Sequence, residues 1–256
     1  MSISISIISH KQAHLVLQLL RDIQEFTLDR KLEVFVTINI EEEIPFHEED
    51  FEYKVRIIKN QHPQGFGANH NKAFQLCSSD YFCIANPDVR LIQDPFPLLN
   101  RLAADPQIGV VAPLIMNGNH RIEDSARKLP TPFRLIKRIL DLKKENRLDY
   151  RPSNETFFPD WLAGIFMIFP REVFRSLNGF DERYFLYFED VDLCCRLKMA
   201  GYKIAFEPSV TVIHEARRDS HRRVQYLWWH ILSGMRFFSS PVFWRACLER
   251  RWDLKD

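Results

Sequence analysis

The 256-residue sequence has almost no excess of charge of either sign: 35 Lys and Arg stand against 34 Asp and Glu, for a formal net charge of +1. Without a basic surplus the chain lacks the electrostatic footprint of a nucleic-acid binder, and no nucleic-acid partner is expected. Cysteine is sparse as well. There are five, an odd number without framework or metal-site spacing, and the adjacent Cys194 and Cys195 do not form a Cys-x-x-Cys motif. This excludes a disulfide scaffold and points to free thiols in a reducing compartment. No uninterrupted apolar run approaches the ~18 residues of a membrane span, and no charged, apolar, cleavable leader opens the chain. The expectation is a cytoplasmic protein, with any membrane contact peripheral, on the inner face of the cytoplasmic membrane. Repeats and low-complexity segments are missing too, which leaves one continuous domain with a C-terminal extension.

What is present fits a soluble, globular chain: 46% of residues are apolar and 27% charged. Two segments depart from the even charge balance. From Arg127 to Arg151 nine Lys/Arg face three acids, and from His214 to Asp256 nine face five. Each is a solvated helix face or a surface for phosphates or anionic lipid. "SISISII" alternates with period two, as a strand does, and Leu15, Val16, Leu19, Leu20, Ile23 and Phe26 recur at helical spacing. "LEVFVTINI" and "YKVRIIKN" read as strands two and three, and "GFGANHNKAFQLC" as a glycine turn entering a helix. "YFCIAN" reads as strand four. This is the rhythm of an α/β sheet with helices on its faces. The acidic stretch from Glu41 to Glu52 reads as a solvated connection. Further on, "IGVVAPLI" and "WLAGIFMIF" read as strands and "PFRLIKRILDLKKENRL" as a basic amphipathic helix. "YFEDVDLCCRLKMAG" reads as a helix stopped by Gly201, and "YKIAFEPSVTVIH" as two strands bent at Pro208.

Ligands of open α/β sheets bind beyond the C-terminal strand ends. Ser9 and His10 end strand one, Asn39 lies near the end of strand two, Asn60 ends strand three, and Asn86-Pro87-Asp88 ends strand four. Gly65 and Gly67 just before a helix N-terminus suit a phosphate or pyrophosphate, or else a tight turn with Asn69 capping the helix. The loop is neither a Walker A motif nor a dinucleotide fingerprint. Asp88, a carboxylate at a strand end, suits a hard divalent cation bridging diphosphate oxygens, although Asn-Pro-Asp is also a common turn composition. Glu189, Asp190 and Asp192 crowd one helix start. There Glu189 and Asp190 favour the helix dipole, and Asp192 is spaced to pair with Arg196. A carboxylate held rigidly by the aromatic "GFDERYFLYF" is also placed to take a proton from a substrate hydroxyl. His214, after "VTVI", is a structural histidine or, if its strand ends near Asp88, a ligand.

Taken together, "VRIIKNQHPQGFGANHNKAF", "YFCIANPDV", "WLAGIFMIFPREVFRSLNGFDERYFLYFEDVDLCCRLKMAGY" and "VTVIHEARRDS" resemble the family 2 glycosyltransferases, nearest the rhamnosyltransferase-like subgroup. The resemblance spans most of residues 1 to 240. It implies a GT-A fold over residues 1–215, with a nucleotide-sugar half to about residue 120 and an acceptor half after it. A basic, aromatic, helical extension follows over 216–256. It also implies an inverting transfer from a nucleotide-sugar, best guessed as dTDP-rhamnose, to a hydroxyl of a glycan or lipid-linked acceptor in surface polysaccharide or O-antigen synthesis. By the same resemblance Asp190 matches the catalytic base. Asp88 matches the last residue of a DxD-like motif for Mg or Mn, with Asn86 in the place of its first Asp. His214 matches a histidine completing the metal or diphosphate site. Ser9, His10, Asn39, Gly65, Phe66, Gly67, Asn69 and Asn86 fall on the donor side, and Arg127, Trp161, Gly164 and Glu189 on the acceptor side. Where the family has an Asp-Asn pair holding the base, this chain has Ile38 before Asn39. The other readings are a sugar-nucleotide pyrophosphorylase, which wants a glycine-rich loop where "SIISHKQAHL" has none, and a non-catalytic glycan- or membrane-binding module.

Overall fold

The alternation of "SISISII" sorts two environments in the computed structural model of the chain, which describes residues 1–26, 31–135, 148–151, 154–215 and 224–248. In β1 (Ser2–Ser9), Ile3, Ile5 and Ile7 turn to one face of the sheet. There they join Val16, Leu19, Leu20 and Ile23 of α1 (Ala13–Phe26). Ser4 and Ser6 turn to the other face, where burial obliges each hydroxyl to find a partner. Ser4 Oγ donates to Glu33 Oε1 at 2.8 Å, and Ser6 Oγ lies 2.8 Å from His70 Nδ1 of α2 (Phe66–Gln75).

β1 is central in a run of parallel strands. It pairs with β2 (Lys31–Ile38), which pairs with β3 (Lys54–Lys59), and on its other side with β4 (Tyr81–Ala85). The eight-stranded sheet has the order β3-β2-β1-β4-β9-β6-β10-β5. Its second half comprises β5 (Val89–Leu91), β6 (Ile108–Asn117), β9 (Phe166–Pro170) and β10 (Lys203–His214), with α3 (Pro97–Ala104) packed against β6. A separate two-stranded sheet joins β7 (Ala126–Arg127) to β8 (Trp161–Leu162). Helices α4 (Arg171–Ser176), α5 (Glu189–Met199), α6 (Val224–Ser239) and α7 (Pro241–Leu248) complete the described chain.

Three segments differ from the sequence-based expectation. "WLAGIFMIF" is not one strand: Ala163, Gly164 and Ile165 break it between β8 and β9. The N–H of Ile165 is bonded to the Ala163 carbonyl, and that of Asn86 to the Ile165 carbonyl. "YKIAFEPSVTVIH" is one strand rather than two, because the irregularity at Pro208 is absorbed as a register shift between Glu207 and Thr211. The acidic 41–52 connection is not simply solvated. Phe46 is buried in the core, and Glu42 accepts the backbone N–H groups of Lys11 and Ala13 at the start of α1. The proposed basic helix around Lys137 begins with a helical turn at 132–135; residues 136–147 lie outside the described residues, as do 216–223 and 249–256 of the basic tail. Phe237, Phe243 and Ala246 from the tail share a core cluster with Tyr184, Phe188 and Leu193. All five cysteines are free thiols. Among the described residues no helix is long and apolar enough to cross a membrane.

Candidate active site

The parallel strands β1 to β4 all end at the same edge, and polar residues at or just beyond their ends lock the loops there. Asn39 Oδ1 accepts the Gln64 N–H at 2.8 Å and the Asn60 amide at 2.9 Å, and its own amide donates to the Gln64 carbonyl. Asn60 donates onward to Asn69 Oδ1 at 2.6 Å. Asn69 does not cap α2 from outside. It sits in the first turn and donates back to the carbonyls of Gln64 and Gly65, while Gly65 itself takes the N-cap position. The two glycines answer a packing demand. A Cβ on Gly65 would stand 2.8 Å from the Phe185 carbonyl oxygen, and one on Gly67 2.6 Å from Phe180 Cβ. The Phe66 N–H is bonded to the Phe185 carbonyl, so that donor is not free for a phosphate. Ser9 is fully buried, and its hydroxyl donates to Glu42, accepts the Gln12 N–H and so braces the start of α1.

Two adjoining cavities open at this edge. The larger, about 590 Å³, is bordered by His10, Asn39, Asn69, Asp88 and, from the C-terminal helix α6, Tyr226 and Trp229. The smaller, about 340 Å³, is bordered by Arg127, Trp161, Gly164, Glu189, Asp190 and His230. Phe66, Asn86, Leu186 and Tyr187 line both and form the shared wall. Most of the predicted donor-side residues therefore meet in one cavity, and the acceptor-side residues with Asp190 in the other. Ser9, Gly65, Gly67 and His214 stand behind the walls.

Asp88 is positioned by the sheet edge. Asp22 of α1 grips Arg90 through two bonds of 2.7 and 2.9 Å and also accepts the Leu91 N–H, holding β5 in place. The antiparallel register sets His214 opposite Val89, so His214 Nε2 comes 3.3 Å from Asp88 Oδ1. That is long for a good bond, and Asp88 Oδ1 is otherwise a buried oxygen without a partner. His214 Nδ1 lies 2.8 Å from Glu123 Oε2, a residue that no local pattern flagged, 91 positions away in sequence. Burial alone would lower the His214 pKa, but hydrogen bonds and charge from Asp88 and Glu123 outweigh it and push it up to about 9.

A cation at this point would take Asp88 and His214 as ligands, replacing the imidazole proton, with Glu123 orienting the ring from its other nitrogen. An orphaned carboxylate oxygen facing an imidazole fits such a group. Among the described residues no three His, Cys, Asp or Glu side chains gather to hold a metal by themselves; substrate oxygens and water are ligands of the kind a hard divalent cation also takes.

The three crowded carboxylates separate clearly. Asp192 forms the i,i+4 pair with Arg196, at 2.7 Å, and is buried. Asp190 is half-buried on the cavity wall. One oxygen accepts the Gly164 N–H at 3.1 Å and the other the Val191 N–H at 2.8 Å. Burial raises its pKa, opposed by those two N–H groups and by the positive charge of Arg127. Arg127 is held over the Trp161 ring, 5.1 Å from its centre, by the β7–β8 pairing that sets the two residues opposite each other. Glu189 is buried and, among the described residues, one of its oxygens has no partner. Burial and the neighbouring Asp190 charge lift its pKa well above the ordinary carboxylate range. Of the two adjacent acids, burial lifts Glu189 further, whereas two N–H groups and the charge of Arg127 oppose the rise at Asp190, a division made by environment.

The start of α5 is strained. Tyr187 and Phe188 both have left-handed backbones, with φ of 71° and 66°, which costs a non-glycine residue on the order of 1–3 kcal/mol each. The C-terminal helix holds this conformation. His230 packs on Tyr187 at 4.9 Å and on Phe188 at 5.4 Å, Phe237 lies 5.5 Å from Phe188, and Ser233 Oγ donates to the Leu186 carbonyl. The aromatic composition of the tail carries no local signal that it walls both cavities.

Residues 3–228 match the profile of a family described as "Glycosyltransferase like family 2". The chain is 32% identical over 191 residues to the N-acetylglucosaminyl-diphospho-decaprenol L-rhamnosyltransferase of Mycobacterium tuberculosis (strain ATCC 25618 / H37Rv), covering 69% of this chain and 60% of that protein. It therefore spans about 60% of the length of that relative. It is 27% identical over 185 residues to the rhamnosyltransferase WbbL of Escherichia coli (strain K12), covering 68% of this chain and 70% of WbbL. The crystal structure of GalNAc-T7 with UDP, GalNAc and Mn2+ superposes with a TM-score of 0.66 at 15% identity, covering 84% of this chain and 44% of that one. That likeness is one of fold.

Proposed function

The chain belongs to the family 2 glycosyltransferases and has the GT-A fold, and on that footing we propose that it is an inverting glycosyltransferase with Asp190 as its base. The observation that carries the reading is the pair of cavities sharing one wall. Asp190 lies in the smaller and Asp88 at the end of the larger. The larger cavity takes the nucleotide-sugar, with its diphosphate toward Asp88 and His214. A bound Mg or Mn ion supplies neutralisation of the charge on the departing diphosphate. In the smaller cavity Asp190, aimed by the Gly164 and Val191 N–H groups, accepts the proton of the acceptor hydroxyl as its oxygen attacks the anomeric carbon. The positive charge of Arg127 favours the ionised form of that carboxylate, and burial favours the neutral form of Glu189, which limits a second negative charge where the nucleophile forms.

The named relatives favour rhamnose, from dTDP-rhamnose, as the sugar and a lipid-linked glycan as the acceptor, with peripheral contact at the membrane holding that lipid. A thermal-shift screen of dTDP-rhamnose and of UDP- and GDP-sugars, with and without Mg or Mn, tests the donor. Asp190→Asn tests the chemistry: it should keep the donor shift and lose transfer. Transfer at the parent rate would remove Asp190 from the reaction.

A further inference from the structure

Helix α6 is apolar on both of its sides. Tyr226, Trp229, His230, Ser233 and Phe237 face the cavities and the core. On the opposite side Leu227, Trp228, Ile231, Leu232 and Met235 are all exposed, between 44% and 65%. Their spacing of i, i+1, i+4, i+5 and i+8 gathers them on one arc of roughly 140° at 100° per residue. On α7, Trp244 and Leu248 add two more exposed apolar side chains one turn apart. Single exposed leucines are ordinary on a monomer, but a continuous helix face of this kind marks an interaction surface.

Charge identifies the occupant. Between Val224 and Leu248 the sequence contains two arginines and no Asp or Glu. Arg236 follows the apolar arc at its edge and Arg245 is exposed on α7, so the charged residues that residues 224–248 themselves bring to this surface are cationic. Against the same segment of a second copy such a face would bring arginines together without an acid from that segment to pair them. Anionic lipid headgroups pair them, while the leucines, isoleucine and methionine enter the acyl boundary and the tryptophans sit at headgroup depth. With no described helix able to cross a membrane, the arrangement is one of lying on the surface.

We propose that the outward face of α6, centred on Trp228 and Ile231, docks the protein on an anionic lipid bilayer. The docked helix is the same one whose inner face walls both cavities, so seating it on the lipid brings the acceptor cavity to the membrane surface. This rests on the reading of a lipid-linked acceptor for its purpose, but not for its physics.

The test is co-sedimentation with vesicles of equal parts phosphatidylcholine and phosphatidylglycerol, and with phosphatidylcholine alone. The parent protein should bind the mixed vesicles, more weakly so without phosphatidylglycerol or at high salt. The double substitutions Trp228→Ser/Ile231→Ser and Trp228→Glu/Ile231→Glu should weaken binding by about tenfold or more, the second more than the first. Both sites are exposed, and the donor thermal shift should stay that of the parent, which shows the fold and the cleft intact. Parent protein that does not sediment, or variants that sediment as it does, overturn the proposal. So does a stable dimer in light scattering that the same substitutions disperse, because a second copy is then the occupant. Asp190→Asn should sediment like the parent. If docking holds but no donor and acceptor pair is turned over, the catalytic reading fails alone. If sugar is transferred to a detergent-dispersed lipid-linked acceptor while the docking variants still sediment, the surface fails alone.

Discussion

Replacing Asp190 by Asn tests both the chemistry and the electrostatics of the site. Asn has the shape of Asp and can keep its oxygen toward one of the two backbone donors, Gly164 N–H or Val191 N–H, so the start of α5 should hold its geometry. What it cannot do is take a proton. Loss of a positioned general base lowers kcat by about 10²–10⁴-fold, equivalent to roughly 3–5 kcal/mol in the barrier. Stability should move the other way. The folded-state pKa of Asp190 is raised by burial, so the folded protein binds its proton more tightly than the unfolded chain does. Stability of the parent therefore falls as pH rises from the ordinary Asp value through the raised one, and at neutral pH the charge is a net cost. Asp190→Asn removes that cost, so its Tm at neutral pH should equal or exceed the parent's. The assay is release of nucleoside diphosphate with the donor found in the screen, alongside thermal melts from acid to neutral pH. A variant that transfers at the parent rate, or one that is inactive only because it melts well below the parent, would refute the reasoning.

Other outcomes follow from the same geometry. Arg127→Gln removes the cation that opposes the rise in the Asp190 pKa, so the acid limb of the pH–rate profile should shift to higher pH; an unmoved limb would separate Arg127 from the base. Glu189→Gln removes a buried acid whose raised pKa makes stability fall as pH climbs above the usual Glu range, so its melting curves should lose part of that pH dependence. Asp88→Ala should abolish the extra thermal shift that Mg or Mn gives to donor binding, while an unchanged metal response would take Asp88 out of the site. Gly67→Ala places a methyl 2.6 Å from Phe180 Cβ and should cost about 1–3 kcal/mol in urea unfolding, without any charge effect.

The strand and helix rhythm was legible because it depends on local periodicity: "SISISII" and the Leu15 to Ile23 spacing report faces that burial later fills. The polar strand ends were legible for the same reason, since four parallel strands finish in Ser, Asn, Asn and Asn-Pro-Asp. Elsewhere tertiary contact added to the local signal or overrode it. Gly65 and Gly67 read as backbone for a phosphate or as a tight turn, and the structure adds that the aromatic segment at Phe180 and Phe185 presses on both. The acidic 41–52 stretch read as a solvated connection, yet its Glu42 accepts the Ser9 hydroxyl. Pro208 read as a break, yet β10 carries it as a bulge.

By itself the sequence determined the alternating sheet, the family motifs and the crowding of Glu189, Asp190 and Asp192, because each is a property of neighbouring residues. Only the tertiary structure decided how the environments of those acids differ. Two N–H groups bond Asp190 and the charge of Arg127 acts on it, Arg196 pairs with Asp192, and one oxygen of Glu189 has no partner among the described residues. It alone also joined Glu123 to His214 and brought Trp229 and His230 of the C-terminal helix to the cavity walls. The Glu123–His214 pairing spans 91 residues, and no local propensity encodes such contacts. They exist because the sheet register and the packing of α6 on the strained Tyr187–Phe188 turn bring them within reach.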